Sequence, residues 1–215
     1  MVKTTLSAVL TGDLVASRKA THAQAEHAMA TLSQAAAAFG AEWTMDLRFT
    51  RFRGDGWQIH LADPSLGLDA ALYMIARLRS ADVAVETRLS VGVGPVTTTG
   101  TTDLADADGP AFHISGDHLE QIGKRRRIVV AGAGIGPFQS ALFDLLDFIS
   151  AGWSPAQAQA VAMAITESYP TQDDIAAELG ITRQAVQSRL SSAGYAYLQE
   201  ALHAFRTYDF GDAAP

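Results

Sequence analysis

Apolar and polar positions along the chain predict an alternation of strands and helices, followed by helices alone. Leu6 to Leu10 is a continuous apolar run ended by Thr11-Gly12-Asp13, the pattern of a buried strand that leaves Asp13 at its end. Leu14 to Arg18 then connects to a helix from about Thr21 to Phe39, where Ala25, Ala28, Met29, Leu32, Ala35, Ala36 and Phe39 recur at helical spacing. After Gly40 a hairpin is expected, starting near Trp43. Its centre sets Phe49, Phe52, Trp57 and Ile59 against Arg51, Arg53 and Gln58, and Gly54-Asp55-Gly56 supplies the positive-φ positions of a tight turn. A second amphipathic helix follows from Leu66 to Ser80. Glu86 to Gly94 predicts a strand with Leu89, Val91 and Val93 on one face, and its two glycines permit a close approach to the backbone. Thr97 to Asp108 is loop-like, Gly109-Pro110-Ala111 opens a helix to about Gln121, and Arg127 to Ala131 is a last strand. The order β-α-β-β-α-β, with one helix and one strand added, fits a ferredoxin-like α/β sandwich.

Past the turn at Gly132 to Pro137 every periodic segment is helical. Residues 1–135 are therefore expected to form the α/β domain and residues 136–215 an all-α domain. Phe138 to Ser150 is amphipathic, and Ser154-Pro155 caps a helix to about Glu167 that Tyr169-Pro170 stops. Thr171 to Leu190 has helix-turn-helix spacing, with a small Ala176 where the helices cross, Gly180 at the turn and Val186 packing back. Thr182 caps the second helix. Arg183, Gln184, Gln187, Ser188 and Arg189 would project from it, residue types suited to base edges and phosphates.

Composition narrows the chemistry. An apolar fraction of 48% is ample for a packed core, and the absence of cysteine excludes disulfides, thiolate metal sites and a cysteine nucleophile. No apolar run approaches membrane length, and the start of the chain breaks too early for a signal peptide, so a cytoplasmic location without membrane association is expected. The net charge of -7 disfavours broad nucleic-acid binding but leaves room for a local basic surface such as Lys124 to Arg127. Residues 151–215 hold three Arg and no Lys against seven Asp or Glu. An acidic helix-turn-helix meets repulsion at the phosphate backbone, which keeps a protein-docking use open.

Asp13 and Asp55 are the candidate metal ligands, since a strand-end acid beside a hairpin acid could hold Mg²⁺ against a nucleotide's phosphates. Gly12, Leu14, Ser17 and Arg18, at the strand-to-helix connection, and Arg51, Arg53 and Gly54, at the hairpin, are candidate nucleotide contacts. Two solvated turn aspartates and ordinary charge pairing would give the same pattern. The histidines at 22, 27, 60, 113 and 118 show no metal-ligand spacing.

The blocks Gly12-Asp13-Leu14-Val15-Ala16-Ser17-Arg18, Arg53 to Gln58, Leu89 to Gly94 and Asp108 to Phe112 resemble those of the SatD family, which also carries a C-terminal helix-turn-helix. More distantly they are similar to class III nucleotide cyclases, whose two metal-binding aspartates match Asp13 and Asp55. That resemblance implies a base-reading role for Arg51 and an acidic partner at Asp106. It also sets His113 where the cyclases have asparagine and Asp117 where they have the arginine that stabilises triphosphate charge, a reversal of sign that disfavours catalysis. The expectation is a nucleotide-responsive, DNA-binding transcriptional regulator with a degenerate cyclase-like sensor, dimeric by analogy with helix-turn-helix proteins and cyclase-like domains. The alternatives are an active divergent nucleotidyl cyclase or related phosphoryl-transfer enzyme, and a protein-docking module.

Overall fold

The computed structural model describes residues 5–15, 20–52, 54–123 and 125–211. The protein is mixed α/β. Leu6–Val15 (β1), Thr50–Phe52 (β2), Gly56–Leu61 (β3), Glu86–Pro95 (β4) and Ile128–Gly132 (β5) form one sheet in the order β2-β3-β1-β4-β5. Every neighbouring pair is antiparallel except β4 and β5. Eight helices lie among the described residues: His22–Glu42 (α1), Gly67–Ser80 (α2), Pro110–Gln121 (α3), Pro137–Ala151 (α4), Pro155–Ala164 (α5), Gln172–Leu179 (α6), Arg183–Ser192 (α7) and Tyr195–Arg206 (α8). None of them is long and apolar enough to cross a membrane.

The sheet divides its side chains between two covers. Leu6, Ala8, Leu10, Leu14, Trp57, Ile59, Leu61, Leu89, Val91 and Val93 belong to the main core with α1 and α2, whereas Val9 packs with Leu104, Ala111 and Phe112 beneath α3. Gly92 is what lets α3 lie close to the sheet, because a Cβ there would sit 2.5 Å from the Ala111 carbonyl oxygen.

Four boundaries differ from the sequence expectations. β1 does not stop at Leu10: it pairs with β4 along its whole length, from Leu6 opposite Pro95 to Val15 opposite Glu86, so Thr11, Gly12 and Asp13 are strand residues. The ladder satisfies their backbone groups, which outweighs the turn preference of Gly-Asp. Trp43 caps α1 rather than starting a hairpin, and the paired part of β2 is three residues long. Arg51 lies opposite Trp57 and reaches α1, while Phe52 lies opposite Gly56, so the apolar and polar sets assigned to the hairpin are mixed between its faces. α5 ends at Ala164, and α8, which no sequence motif marked, closes the fold.

α2 is enclosed on nearly all sides, with eleven of its fourteen residues buried. Sheet, α1 and α5 surround it, and one apolar cluster runs from β1 through α2 to Phe205 and Phe210, across the expected boundary at residue 135. Within this environment stands Asp69, fully buried at 0% exposure. Arg206 of α8 answers it, donating from Nε to both carboxylate oxygens at 3.1 Å and from Nη2 to Oδ1. Burial pushes the Asp69 carboxyl up, with Arg206 opposing that shift. Arg206, which burial alone would lower, is held above its ordinary value by the Asp69 carboxylate, and its guanidinium also lies 4.8 Å from the centre of the Trp43 ring. Removing one partner leaves a buried charge uncompensated. Arg206→Ala is expected to lower unfolding free energy by about 3–5 kcal/mol in urea denaturation; a loss under about 1 kcal/mol, the range of an exposed pair, would show that the pair does not bind the two halves.

Candidate functional site

The strand register brings the two predicted aspartates to one end of the sheet. Asp13 lies opposite Gly56 on one side and Arg88 on the other, and the Leu14 amide donates to the Asp55 carbonyl at 3.1 Å. On the far side of Asp13 from the hairpin turn, in β4, stands Arg88, a residue that the motifs did not single out. Its Nε and Nη2 donate to the two Asp13 carboxylate oxygens at 2.7 and 2.8 Å, a bidentate pair about a quarter to a third exposed on each side. The Asp13 hydrogen bonds hold Arg88 above its ordinary pKa, and the charges of both Asp13 and Asp55 add to that shift. Asp13 is therefore already paired with a guanidinium, and the Asp55 charge acts on the same group. Arg88 is a polar position in the alternation Glu86-Thr-Arg-Leu-Ser, and only its register opposite Asp13 reveals its role.

Asp13 and Asp55 carry the oxygen donors that Mg²⁺ prefers, but a cation already fills the Asp13 carboxylate. A divalent ion there must exchange with Arg88. Among the described residues no group of three or more His, Asp or Glu is arranged to hold a metal.

The other candidates scatter. Gly12 lies in β1, where a Cβ would come within 2.4 Å of the Trp57 ring; its smallness is a packing requirement, and the ring is fixed in turn by its Nε1 donating to Thr87 Oγ1 at 2.9 Å. Leu14 is a buried core residue rather than a loop contact. Arg51 pairs through both terminal nitrogens with Glu26 of α1 at 2.7 and 2.8 Å, and its Nε donates to the Gly54 carbonyl. Gly54 takes the positive φ of 85° that the turn needs. Asp106 sits beside the start of β2, away from Asp55, where it accepts from the Thr101 amide and hydroxyl at 3.1 and 3.0 Å; these bonds, the amide's first, hold its carboxyl below the usual range. Ser17, Arg18 and Arg53 lie outside the described residues, as does Lys124 of the basic run. Arg126 and Arg127 are paired at the surface with Asp144 and Glu86. His113 pairs with Asp108 at 2.9 Å.

A polar row continues from Asp13 under α3. Gln58 Nε2 donates to Thr11 Oγ1 at 2.8 Å, and Thr11 Oγ1 lies 2.7 Å from Ser115 Oγ. His60 follows on β3, stacked on Phe112, with its Nε2 buried and unpaired. Clefts of about 380 and 390 Å³ lie elsewhere, one among α5 to α8 beside Tyr169 and Tyr195, the other along the outer edge of β5.

The second candidate surface is α7. Thr171 caps α6 in a reciprocal pair with Asp174, Gly180 takes the left-handed turn at φ 64° and ψ 32°, and Thr182 Oγ1 caps α7 by accepting from the Ala185 amide. Ile175, Ala176, Val186 and Leu190 are buried where the helices meet. That leaves Thr182, Arg183, Gln184, Gln187 and Ser188 exposed. Arg189 is half-buried, its Nη1 donating to Gln159 at 3.3 Å, and Arg183 lies 3.8 Å from Asp173. Compared by sequence, the chain matches no family model, and no curated protein is significantly similar to it.

Two substitutions separate packing from ligand roles. Gly12→Ala must push the Trp57 ring aside and is expected to cost about 1–3 kcal/mol in thermal or urea melts without any ligand present; an unchanged melt would return Gly12 to the ligand side. His60 is held below the ordinary histidine pKa, first by burial and then by the Arg48 charge. The folded state thus binds its proton less readily than the unfolded state. Stability from this group is present above about pH 6.5 and is lost as pH falls below it. Wild type should therefore lose stability more steeply between pH 7 and pH 5 than His60→Phe, measured by paired urea titrations.

Proposed function

We propose that the protein is a nucleotide-responsive regulator that meets DNA through α7, with the acid–arginine cluster at Asp13, Asp55 and Arg88 as the nucleotide-responsive end. The observation that carries this reading is the α6–Gly180–α7 arrangement: a short capped helix, a left-handed glycine and a second capped helix whose outer face is polar and uncovered. This is the geometry a helix-turn-helix uses to set side chains in a major groove. Strand order supports a ferredoxin-like, cyclase-like sensor, because β1-α1-β2 and β2-β3-α2-β4 build the split βαβ arrangement with β3 and β1 at its centre.

Arg88 gives the sensing end its chemistry. A phosphate-bearing ligand competes with Asp13 for the guanidinium, and Mg²⁺ competes with the guanidinium for Asp13. Either exchange rewrites the charge at the end of β1. Catalysis is not part of this reading: Asp117 carries the wrong sign for the cyclase arginine, and Arg51 is held by Glu26.

DNA contact through α7 rests on few cations. Arg183 and Arg189 have intramolecular partners that phosphates must displace, so binding is expected to be weak in its non-specific part, with a salt slope of about -2 rather than the steep slope of a basic domain. Selection from random genomic fragments at about 50 mM salt, with and without nucleoside triphosphates, measures this. Gln184→Ala should relax sequence preference, and Arg183→Ala should weaken all fragments alike. Failure of wild type to retain any fragment at low salt would favour the protein-docking alternative.

A further inference from the structure

α4 is apolar on two sides. Its inner side buries Phe143 and Leu146 in the core, with Asp147 and Ser150 beside them. Its outer side presents Phe138 at 90% exposure, Leu145 at 62% and Phe148 at 81%, with Ala141 exposed among them and Leu142 and Ile149 half-exposed. The spacing of three and four residues places Phe138, Ala141, Leu145 and Phe148 along one seam, the pattern that packs helix on helix. A helix apolar on both sides is ordinarily covered on both.

The chemistry of this seam selects its cover. α4 contains no Lys or Arg, so it lacks the cations that hold an interfacial helix on anionic lipid. Its two carboxylates are engaged elsewhere: Asp144 accepts from Arg126, and Asp147 accepts from the Arg127 amide. An uncharged seam meets its own copy without repulsion. It is also self-complementary. When two α4 helices lie antiparallel about a two-fold axis, Phe138 meets Phe148 of the second copy, and the small Ala141 meets the larger Leu145. Opposed helix dipoles favour that direction. Two aromatic rings and a leucine exposed to this degree offer roughly 400–500 Å² on each copy, so a pair buries on the order of 1,000 Å² from these side chains alone, the size at which a specific interface begins.

We propose that two copies of this chain associate through α4, antiparallel about a two-fold axis, with Phe138, Ala141, Leu145 and Phe148 at the interface. The proposal does not require α7 or Asp13 to bind a ligand.

Sedimentation of the full chain between about 1 and 100 μM, the range for an interface of this size, should show a dimer. Leu145→Glu should sediment as a monomer, its association weakened at least ~100-fold, because the seam centre then holds an unpaired charge. Since Leu145 faces solvent, the variant's far-ultraviolet spectrum should match wild type, and its melting temperature should match that of wild type diluted until it is monomeric. The chain has no cysteine, so direction can be read by cross-linking. Phe138→Cys mixed with Phe148→Cys should form a disulfide-linked pair under mild oxidation, and neither variant alone should do so. This second measurement decides the matter if Leu145→Glu fails to fold. A monomeric wild type across the range, a folded Leu145→Glu that remains dimeric, or Phe138→Cys linking to itself as readily as in the mixture would each overturn the proposal.

Discussion

The fold depends on one carboxylate that water cannot reach. α2 lies between the sheet and the C-terminal helices, and a helix enclosed on all sides has to be apolar throughout or have its charges answered. Its single buried charge, Asp69, is answered from 137 positions along the chain, by Arg206 near the end of α8. That requirement fixes where α8 ends. It also settles Trp43, on whose ring the same guanidinium rests, and Tyr169, whose hydroxyl Arg206 reaches with Nη1. A second arginine, Arg79 of α2, extends the tie by donating to the carbonyls of Ala151 and Trp153, at the end of α4 and just beyond it, while holding Glu86 of β4. The two halves are thus joined by polar bonds set within an apolar contact, the arrangement that makes their relative placement specific.

Much of this was legible in the chain, and the failures have physical causes. Helical periodicity located α1, α2, α4 and the α6–α7 pair because their buried residues recur every three or four positions. Gly180 and Thr182 were legible because a left-handed turn and an N-cap each demand a narrow set of side chains. β1 was misjudged at its C-terminal end, where Thr11-Gly12-Asp13 has turn composition but pairs with two strands; long-range ladder bonds leave no trace in local preference. α8 escaped because nothing in Tyr195 to Arg206 matches a motif, and its purpose lies in Asp69, far away in sequence.

The candidate site shows the same division. Asp13 and Asp55 were found as residues, and the antiparallel register of β1 and β3 brings them together. What sequence could not supply was Arg88, because salt-bridge partners in neighbouring strands are chosen by register rather than spacing. Its presence changes the picture from a pair of acids awaiting a cation to one in which the Asp13 carboxylate already holds one. At such a site, ligand binding is a competition among charges already in place, and the affinity of any one partner depends on the strength of the bond it displaces.

The continuous apolar core has a thermodynamic consequence. Since β1, α2 and Phe205 belong to one cluster, the sheet and the helices around α7 share the cost of unfolding. Anything that binds only the folded form therefore stabilises both parts by the same free energy, wherever it binds. Any ligand bound beside Asp13 and Arg88 would slow hydrogen exchange in the globally protected amides of the C-terminal helices without any movement of α7. In this protein, two distant surfaces are linked through a common stability before any change of shape is required.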